Sequence, residues 1–236
     1  MQDANYGQKV SGKQYLEFLL DLHQKLKPET YLEVGVQTGI SLQQSSCASI
    51  GVDPEFICKT DIIGKKPTCF LYQMASDDFF AKYSPSQIFG QVIDLAFLDG
   101  MHWFEFLLRD FMNTEKHCAA RSTIVLHDCL PPGFIMTSRN IKDSFLPETN
   151  FRGWWTGDVW KIVPTLLKYR PDLSVTVTDC MPTGLVIISN LDPENAILSE
   201  NYDEILAQYK EMDREEYEEY WKGVQITPAS EALNRL

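Results

Sequence analysis

No stretch of the 236 residues approaches the roughly 20 consecutive apolar side chains needed to cross a bilayer. Met1 to Val10 is polar, which predicts no secretory leader. Cysteines are few: Cys47, Cys58, Cys69, Cys118, Cys129 and Cys180. None forms a C-x-x-C pair or a zinc-binding spacing, so a cystine scaffold and a zinc module are excluded. Several lie in apolar runs, where Cys behaves as a small hydrophobe, and the expectation is reduced thiols in a cytoplasmic protein. The G-x-G-x-x-G fingerprint of a dinucleotide fold is also missing, which argues against a nicotinamide-dependent oxidoreductase. Basic residues are in deficit, 21 Lys plus Arg against 33 Asp plus Glu, for a net charge of −12. An acidic surface repels phosphates and anionic headgroups, so neither nucleic acid nor a membrane is expected as a partner. The acidity is local: Asp192 to Lys222 holds eleven acids and three bases, which is −8 of the −12. There is no internal repeat, no low-complexity tract and no clean domain boundary.

What is present is a regular alternation of short apolar runs and amphipathic segments. Tyr15, Phe18, Leu19, Leu22 and Leu26 recur at helical spacing and stop before Pro28. Strands are expected at Thr30 to Val36, Ser49 to Val52, Thr68 to Met74, Val92 to Leu98 and Thr123 to Leu126, with a last pair at Leu173 to Thr178 and Gly184 to Ser189. Helices are expected at Ile40 to Ala48, Asp77 to Tyr83, Phe104 to Cys118 and Asp158 to Tyr169. A loop rich in Pro, Gly and aromatics runs from Leu130 to Gly157. Tyr202, Ile205, Leu206, Tyr209 and Met212 make one apolar stripe on a final acidic helix, which fits packing on its own sheet or in a homo-oligomer. Such alternation builds a mostly parallel sheet covered on both faces, with ligands beyond the carboxyl ends of the strands.

The polar residues at those strand ends are the candidates for chemistry. Glu33-Val-Gly35-Val-Gln-Thr-Gly39 closes the first strand, and Asp53 closes the second. Glycines there allow close backbone approach to a ligand, and a carboxylate at Asp53 can accept both hydroxyls of a ribose. The same residues also describe a tight strand–helix turn followed by a surface acid. Asp99-Gly-Met-His102 closes the fourth strand, and His127-Asp128-Cys129 the fifth. If those strands are neighbours, two carboxylates and two imidazoles converge on one pocket. Oxygen donors suit Mg²⁺ or Mn²⁺, and an imidazole titrates near working pH. Taken singly, each histidine reads equally well as a helix cap or a packed polar residue. Trp154-Trp155-Thr-Gly157-Asp158-Val-Trp160-Lys161 reads either as a pocket wall or as a loop tucked onto the sheet edge by its tryptophans.

Together these segments resemble class I S-adenosylmethionine-dependent methyltransferases, and among them the branch with cephalosporin-cluster and macrolide-sugar O-methyltransferases. The matching pieces are YLEVGVQTGIS, IGVDPE, IDLAFLDGMHWFEFLLRD, IVLHDCLPP and WTGDVWK, in order between Tyr31 and Lys161. The resemblance implies one methyltransferase domain over 1–236: an N-terminal helix in 1–28, a sheet core in 29–190 and an acidic helical extension in 191–236. It implies a Rossmann-like, doubly wound, seven-stranded α/β sheet of order 3-2-1-4-5-7-6 with strand seven antiparallel. It places Glu33, Gly35 and Gly39 at the methionine end of S-adenosylmethionine, Asp53 on the ribose, and Ser76 and Asp77 beside the adenine. Asp99 also faces the cofactor. Asp99, His127 and Asp128 form the implied metal set, and His102 takes the acceptor's proton. The expected acceptor is a hydroxyl on a sugar or small metabolite. The alternative is a nucleoside-binding or partner-binding protein on the same fold without catalysis. The sequence departs from the relatives in carrying His127-Asp128 where two acids are usual, Ala119-Ala-Arg-Ser122 where two glycines are usual, and a short link between strands two and three.

Overall fold

The computed structural model describes residues 5–146, 151–210 and 212–236. In chain order its elements are α1 (Tyr15–Leu26), β1 (Thr30–Val34), β2 (Ala48–Asp53), β3 (Cys69–Gln73), α2 (Ser76–Lys82), α3 (Pro85–Phe89), β4 (Ile93–Leu98), α4 (Phe104–Glu115) and β5 (Cys118–His127). There follow α5 (Ile162–Tyr169), β6 (Ser174–Thr178), β7 (Leu185–Ser189), α6 (Ile197–Glu200), α7 (Tyr202–Lys210), α8 (Arg214–Gly223), β8 (Ile226–Thr227) and α9 (Ala229–Arg235). The strands form one sheet in the order β3-β2-β1-β4-β5-β7-β6-β8. Its first seven positions are the expected Rossmann-like order. β7 runs antiparallel to both β5 and β6. β8 is an addition beyond β6, and at two residues it is too short to leave a pattern in the sequence.

Every residue of β1 is buried, and β4 is nearly so, which is why both read as continuous apolar runs. Alternate side chains enter opposite cores. On one face Leu32, Ile50, Ile124 and Leu126 meet Phe104, Leu108 and Phe111 of α4 and Trp160, Ile162 and Leu166 around α5. On the other, Tyr31, Leu95, Phe97 and Val125 meet Phe18, Leu19 and Leu22 of α1. α1 ends where Lys27 turns left-handed (φ 48°), one residue before Pro28.

Three expectations are corrected. Residues 40–48 hold only a 3₁₀ turn, Leu42–Gln44, instead of a helix. The chain spends 35–39 on a turn with positive φ at Gly35, Gln37 and Gly39, and 40–47 then reach β2 through a 3₁₀ turn. The helix expected from Asp158 begins as a 3₁₀ turn, Val159–Lys161, and becomes α-helical at Ile162. Pro164 then falls in the first turn of α5, where its missing N–H has no intrahelical partner to lose. The acidic stripe is not on the last helix, because α8, β8 and α9 follow it. Of the expected 130–157 loop, 147–150 lie outside the described residues, as do 1–4 of the polar N-terminus. Among the described residues no helix is long and apolar enough to cross a membrane.

Candidate active site

β1 and β4 are paired, as are β4 and β5, so their carboxyl ends lie side by side. The chain leaves β1 at Gly35 with φ +90°, and a Cβ there would stand 1.9 Å from the carbonyl oxygen of Asp99. Only glycine lets the first turn press directly on the segment leaving β4. The Asp99 N–H in turn donates to the Val34 carbonyl at 2.8 Å.

Around that junction the strand ends bring together Asp99, His102, His127 and Asp128. His102 Nε2 is 3.4 Å from Asp99 Oδ1, and its Nδ1 is 3.3 Å from Asp128 Oδ2. The same Nδ1 donates to the Trp155 carbonyl at 3.1 Å, and the Trp155 ring stacks on the imidazole with centroids 4.9 Å apart. His127 approaches from the interior, with Nδ1 at 3.1 Å from Asp99 Oδ1 and 3.5 Å from Asp128 Oδ1. Thr183, in the β6–β7 turn, donates its hydroxyl to Asp128 Oδ1. Asp128 itself sits at φ +61°, a conformation an aspartate tolerates better than most residues and one that recurs where local strain serves a site.

Charge sets the protonation of this cluster. Burial works against ionising Asp99, but His127 and His102 outweigh it and hold the carboxyl well below the usual carboxylate range. Burial would lower His102, yet Asp128 and Asp99 overcome it and push the imidazole up to about 9. His127 is raised against burial by the same two carboxylates. Asp99 and the two imidazoles therefore favour one another's charged forms.

Asp99, His102 and Asp128 each offer one ligand atom, and these atoms lie within 4.8 Å of one another. The two carboxylate oxygens suit a divalent cation such as Mn²⁺ or Mg²⁺, and the His102 nitrogen beside them can serve either as a further ligand or as a base. His127, expected among the ligands, lies deeper, behind Asp99 and under the Tyr15 ring at 4.3 Å.

The residues expected around a cofactor lie along the ends of β1, β2 and β3. Glu33 is fully buried, and its oxygens accept from Tyr31 (2.7 Å) and Ser41 (2.6 Å). Burial pushes it up to about 8 despite those bonds. Gly39 packs against Ile62. Asp53 accepts from the Gln37 N–H at 2.8 Å and the Glu55 N–H at 2.7 Å, which fixes its carboxylate beside the first turn and leaves lone pairs for further donors. Ser76 and Asp77 open α2. Both oxygens of Asp77 accept from Arg109, at 2.9 and 2.7 Å.

Three features escaped the sequence reading. Tyr15 places its ring over His127 from the start of α1. Thr183 holds Asp128 from across the chain. Most of all, α8 clamps the segment that leaves Asp128: Tyr220 donates to the Cys129 carbonyl at 2.7 Å, and Tyr217 and Trp221 donate to the Pro131 carbonyl at 2.7 and 3.0 Å. The i, i+3, i+4 spacing of Tyr217, Tyr220 and Trp221 was the available signal for this face. Of the aromatics near the motifs, Trp155 stacks on His102, and Phe97 packs on His127. Trp103 donates its indole N–H to the Arg139 carbonyl, and Phe134 packs on Tyr217. Gly157 (φ +56°) backs the site: a Cβ there would fall 1.6 Å from the His102 carbonyl oxygen. Asp158 accepts the Phe104 N–H at the start of α4 (2.8 Å) and pairs with Lys161 (3.1 Å) and Arg139 (3.0 Å). Asp158 and Lys161 also line a separate cavity of about 350 Å³ with Phe134, Arg139 and Met212.

No family model matches the sequence, and no curated protein matches it. Solved structures do match in shape. The SAH-bound methyltransferase PaMTH1 of Podospora anserina superposes with a TM-score of 0.52 at 13% identity, covering 75% of this chain and 78% of that one. Cofactor-bound Rv0187 from MTB gives 0.53 at 14% identity, covering 77% of this chain and 80% of that one. At such identity the likeness is one of fold, and the architecture is the α/β Rossmann-like fold that methyltransferases use.

Proposed function

We propose that this chain is an S-adenosylmethionine-dependent O-methyltransferase acting on a hydroxyl of a sugar or other small metabolite, as in the cephalosporin-cluster and macrolide-sugar branch. The observation that carries the reading is the contact between the two halves of such a site. The Gly35 turn presses on Asp99, and Asp99, His102 and Asp128 converge at that junction with donor atoms within 4.8 Å. Those are the parts a methyl transfer to oxygen needs: a place for the donor, a base, and a charge to make the hydroxyl acidic.

When bound, S-adenosylmethionine supplies a methyl group already activated on its sulfonium, and a divalent cation lowers the pKa of the acceptor hydroxyl. The chain's own residues do the rest. Asp53 accepts the ribose hydroxyls, with Ser76 and Asp77 beside the adenine and Glu33, Gly35 and Gly39 at the methionine end. Asp99 and Asp128 would hold the cation. A cation on the two carboxylates would oppose the charge that raises His102, and its Nε2 would then accept the acceptor's proton while Nδ1 stays on the Trp155 carbonyl. Trp155 and Gly157 keep the imidazole in line, so alignment of acceptor and donor is built into the fold.

Calorimetric titration with S-adenosylhomocysteine, with and without Mg²⁺ or Mn²⁺, tests the cofactor half. Micromolar binding that weakens in Asp53→Ala is the expected result. An absence of binding under every metal condition removes the methyltransferase reading and brings a nucleoside-binding or partner-binding role forward.

A further inference from the structure

The two edges of the sheet differ in kind. β8 is two residues long and lies between α8 and α9 in the chain. β3, at the opposite end, is Cys-Phe-Leu-Tyr-Gln, with no charge anywhere in it. Phe70 is 38% and Leu71 42% exposed, and Thr68 and Gln73 are exposed beside them.

The ladder fixes which backbone groups face outward. β2 and β3 are parallel, with Ser49 opposite Cys69, Gly51 opposite Leu71 and Asp53 opposite Gln73. The Ser49 N–H donates to the Thr68 carbonyl at 3.0 Å. That parity turns the N–H and C=O of Cys69, Leu71 and Gln73 away from β2. Among the described residues no strand lies beyond β3 to receive them. Soluble proteins blunt such an edge with lysine, proline, a bulge or a covering loop, because an uncharged apolar edge is a template for pairing.

We propose that β3 pairs antiparallel with β3 of a second copy of this chain, about a two-fold axis through Leu71. In that register Leu71 faces Leu71 and Cys69 faces Gln73, so the outward-turned groups of one copy meet those of the other. Phe70 then falls opposite Tyr72, an aromatic cross-strand pair on one face of the joined sheet. Pro67 has no N–H to give and ends the ladder opposite Ala75. Beyond it the exposed Lys65 of one copy approaches the exposed Asp78 at the start of α2 of the other, and symmetry repeats the pair at the far end. A parallel pairing would instead set lysine beside lysine and aspartate beside aspartate. Hydrogen-bond parity and charge thus select the same partner, another copy, and the same direction.

Sedimentation velocity of the full chain at micromolar concentration tests this. The expected mass is twice the 27.1 kDa of one chain. Leu71→Lys and, separately, Lys65→Glu should each return it to 27.1 kDa with an unchanged circular dichroism spectrum, since both side chains are exposed. Leu71→Cys in a Cys58→Ser, Cys69→Ser background tests the register: mild oxidation should give a disulfide-linked dimer, because this register sets the residue against itself. A wild-type monomer, a dimer that persists in Lys65→Glu and Leu71→Lys, or a Leu71→Cys that stays uncrosslinked within a dimer would each overturn the proposal. Should Leu71→Lys fail to fold, Lys65→Glu and the crosslink still decide.

Discussion

The flank of the sheet beyond β5 and the flank beyond β1 are built to different depths. Over β7 and β6 the chain lays α5, α7 and α8, and it buries Trp160, Trp221, Tyr217 and the ion pair of Arg170 with Glu115. Over β2 and β3 it lays a single 3₁₀ turn, an irregular segment over 54–68 and two short helices, and it leaves Phe70 and Leu71 in water. The connections differ: residues 35–47 and 54–68 cross between parallel strands without an α-helix, whereas the chain after β5 carries α5, α7 and α8. The deep flank holds the acid–imidazole cluster in place: Thr183 and α8 fix Asp128 and the residues after it, and the 154–158 segment fixes His102. The thin flank carries the edge open to a second copy.

The largest expected effect tests whether the deep flank houses the reaction. His102→Ala should lower turnover by about 10²–10⁴-fold, the usual worth of a positioned base, and leave S-adenosylhomocysteine affinity unchanged. Steady-state rates with an accepted substrate and calorimetry on the same variant give both numbers. Unchanged turnover would take His102 out of the mechanism. Next in size is the structural depth of that flank. Arg170 donates to Glu115 at 2.7 and 2.9 Å with both side chains buried. Arg170→Met leaves the Glu115 carboxylate buried without its cation and should cost about 3–5 kcal/mol in urea unfolding. A loss under about 1 kcal/mol would mean that water reaches Glu115 and the flank is shallower than it looks.

A smaller effect belongs to the other side of α4. Asp110 is 1% exposed, its Oδ1 has no hydrogen-bond partner, and burial pushes it up to about 7 despite a hydrogen bond with Ser76. The unfolded chain releases this proton near pH 4, whereas the folded chain holds it to about 7. Between those values the folded state binds more protons, so stability falls as pH rises through the window and levels off above it. Asp110→Asn should gain on the wild type by about 2–3 kcal/mol between pH 5 and pH 8, read from urea midpoints at the two pH values. Equal stability at pH 8 would show that the carboxylate finds water or a cation in solution.

How much of this was legible in the sequence follows the same division. β1, β4 and the Thr123 to Leu126 part of β5 were readable because strands buried on both faces are mostly apolar, and Asp99 and Asp128 were readable because they follow such runs, with His102 three residues beyond Asp99. The absent helix at 40–48 was not. Ile40, Leu42 and Cys47 suit a helix locally, and only the structure shows the positive-φ turn at Gln37 and Gly39 that precedes them. Thr183 and Tyr15 were invisible because nothing local marks them; they reach the site through strand pairing and helix packing across much of the chain. Tyr217, Tyr220 and Trp221 share a helical spacing, but they stand among glutamates, which hides the stripe.

The smallest prediction compares one substitution in both flanks. Leu166 on α5 is fully buried, whereas Leu71 on β3 keeps 42% of its surface in water. Removing a buried leucine side chain forfeits its transfer free energy and leaves a cavity, so Leu166→Ala should cost about 2–5 kcal/mol. Leu71→Ala loses only part of the transfer term and opens no enclosed cavity, so about 1 kcal/mol or less is expected. The pair must be measured in a Lys65→Glu background, because in the dimer Leu71 would be covered by its own copy and the contrast would shrink with protein concentration. In that background the two losses should differ by at least twofold at every concentration. Equal losses would mean that segment 54–68 closes over Leu71 in the free chain, which would make the thin flank as deep as the other and take away the open edge.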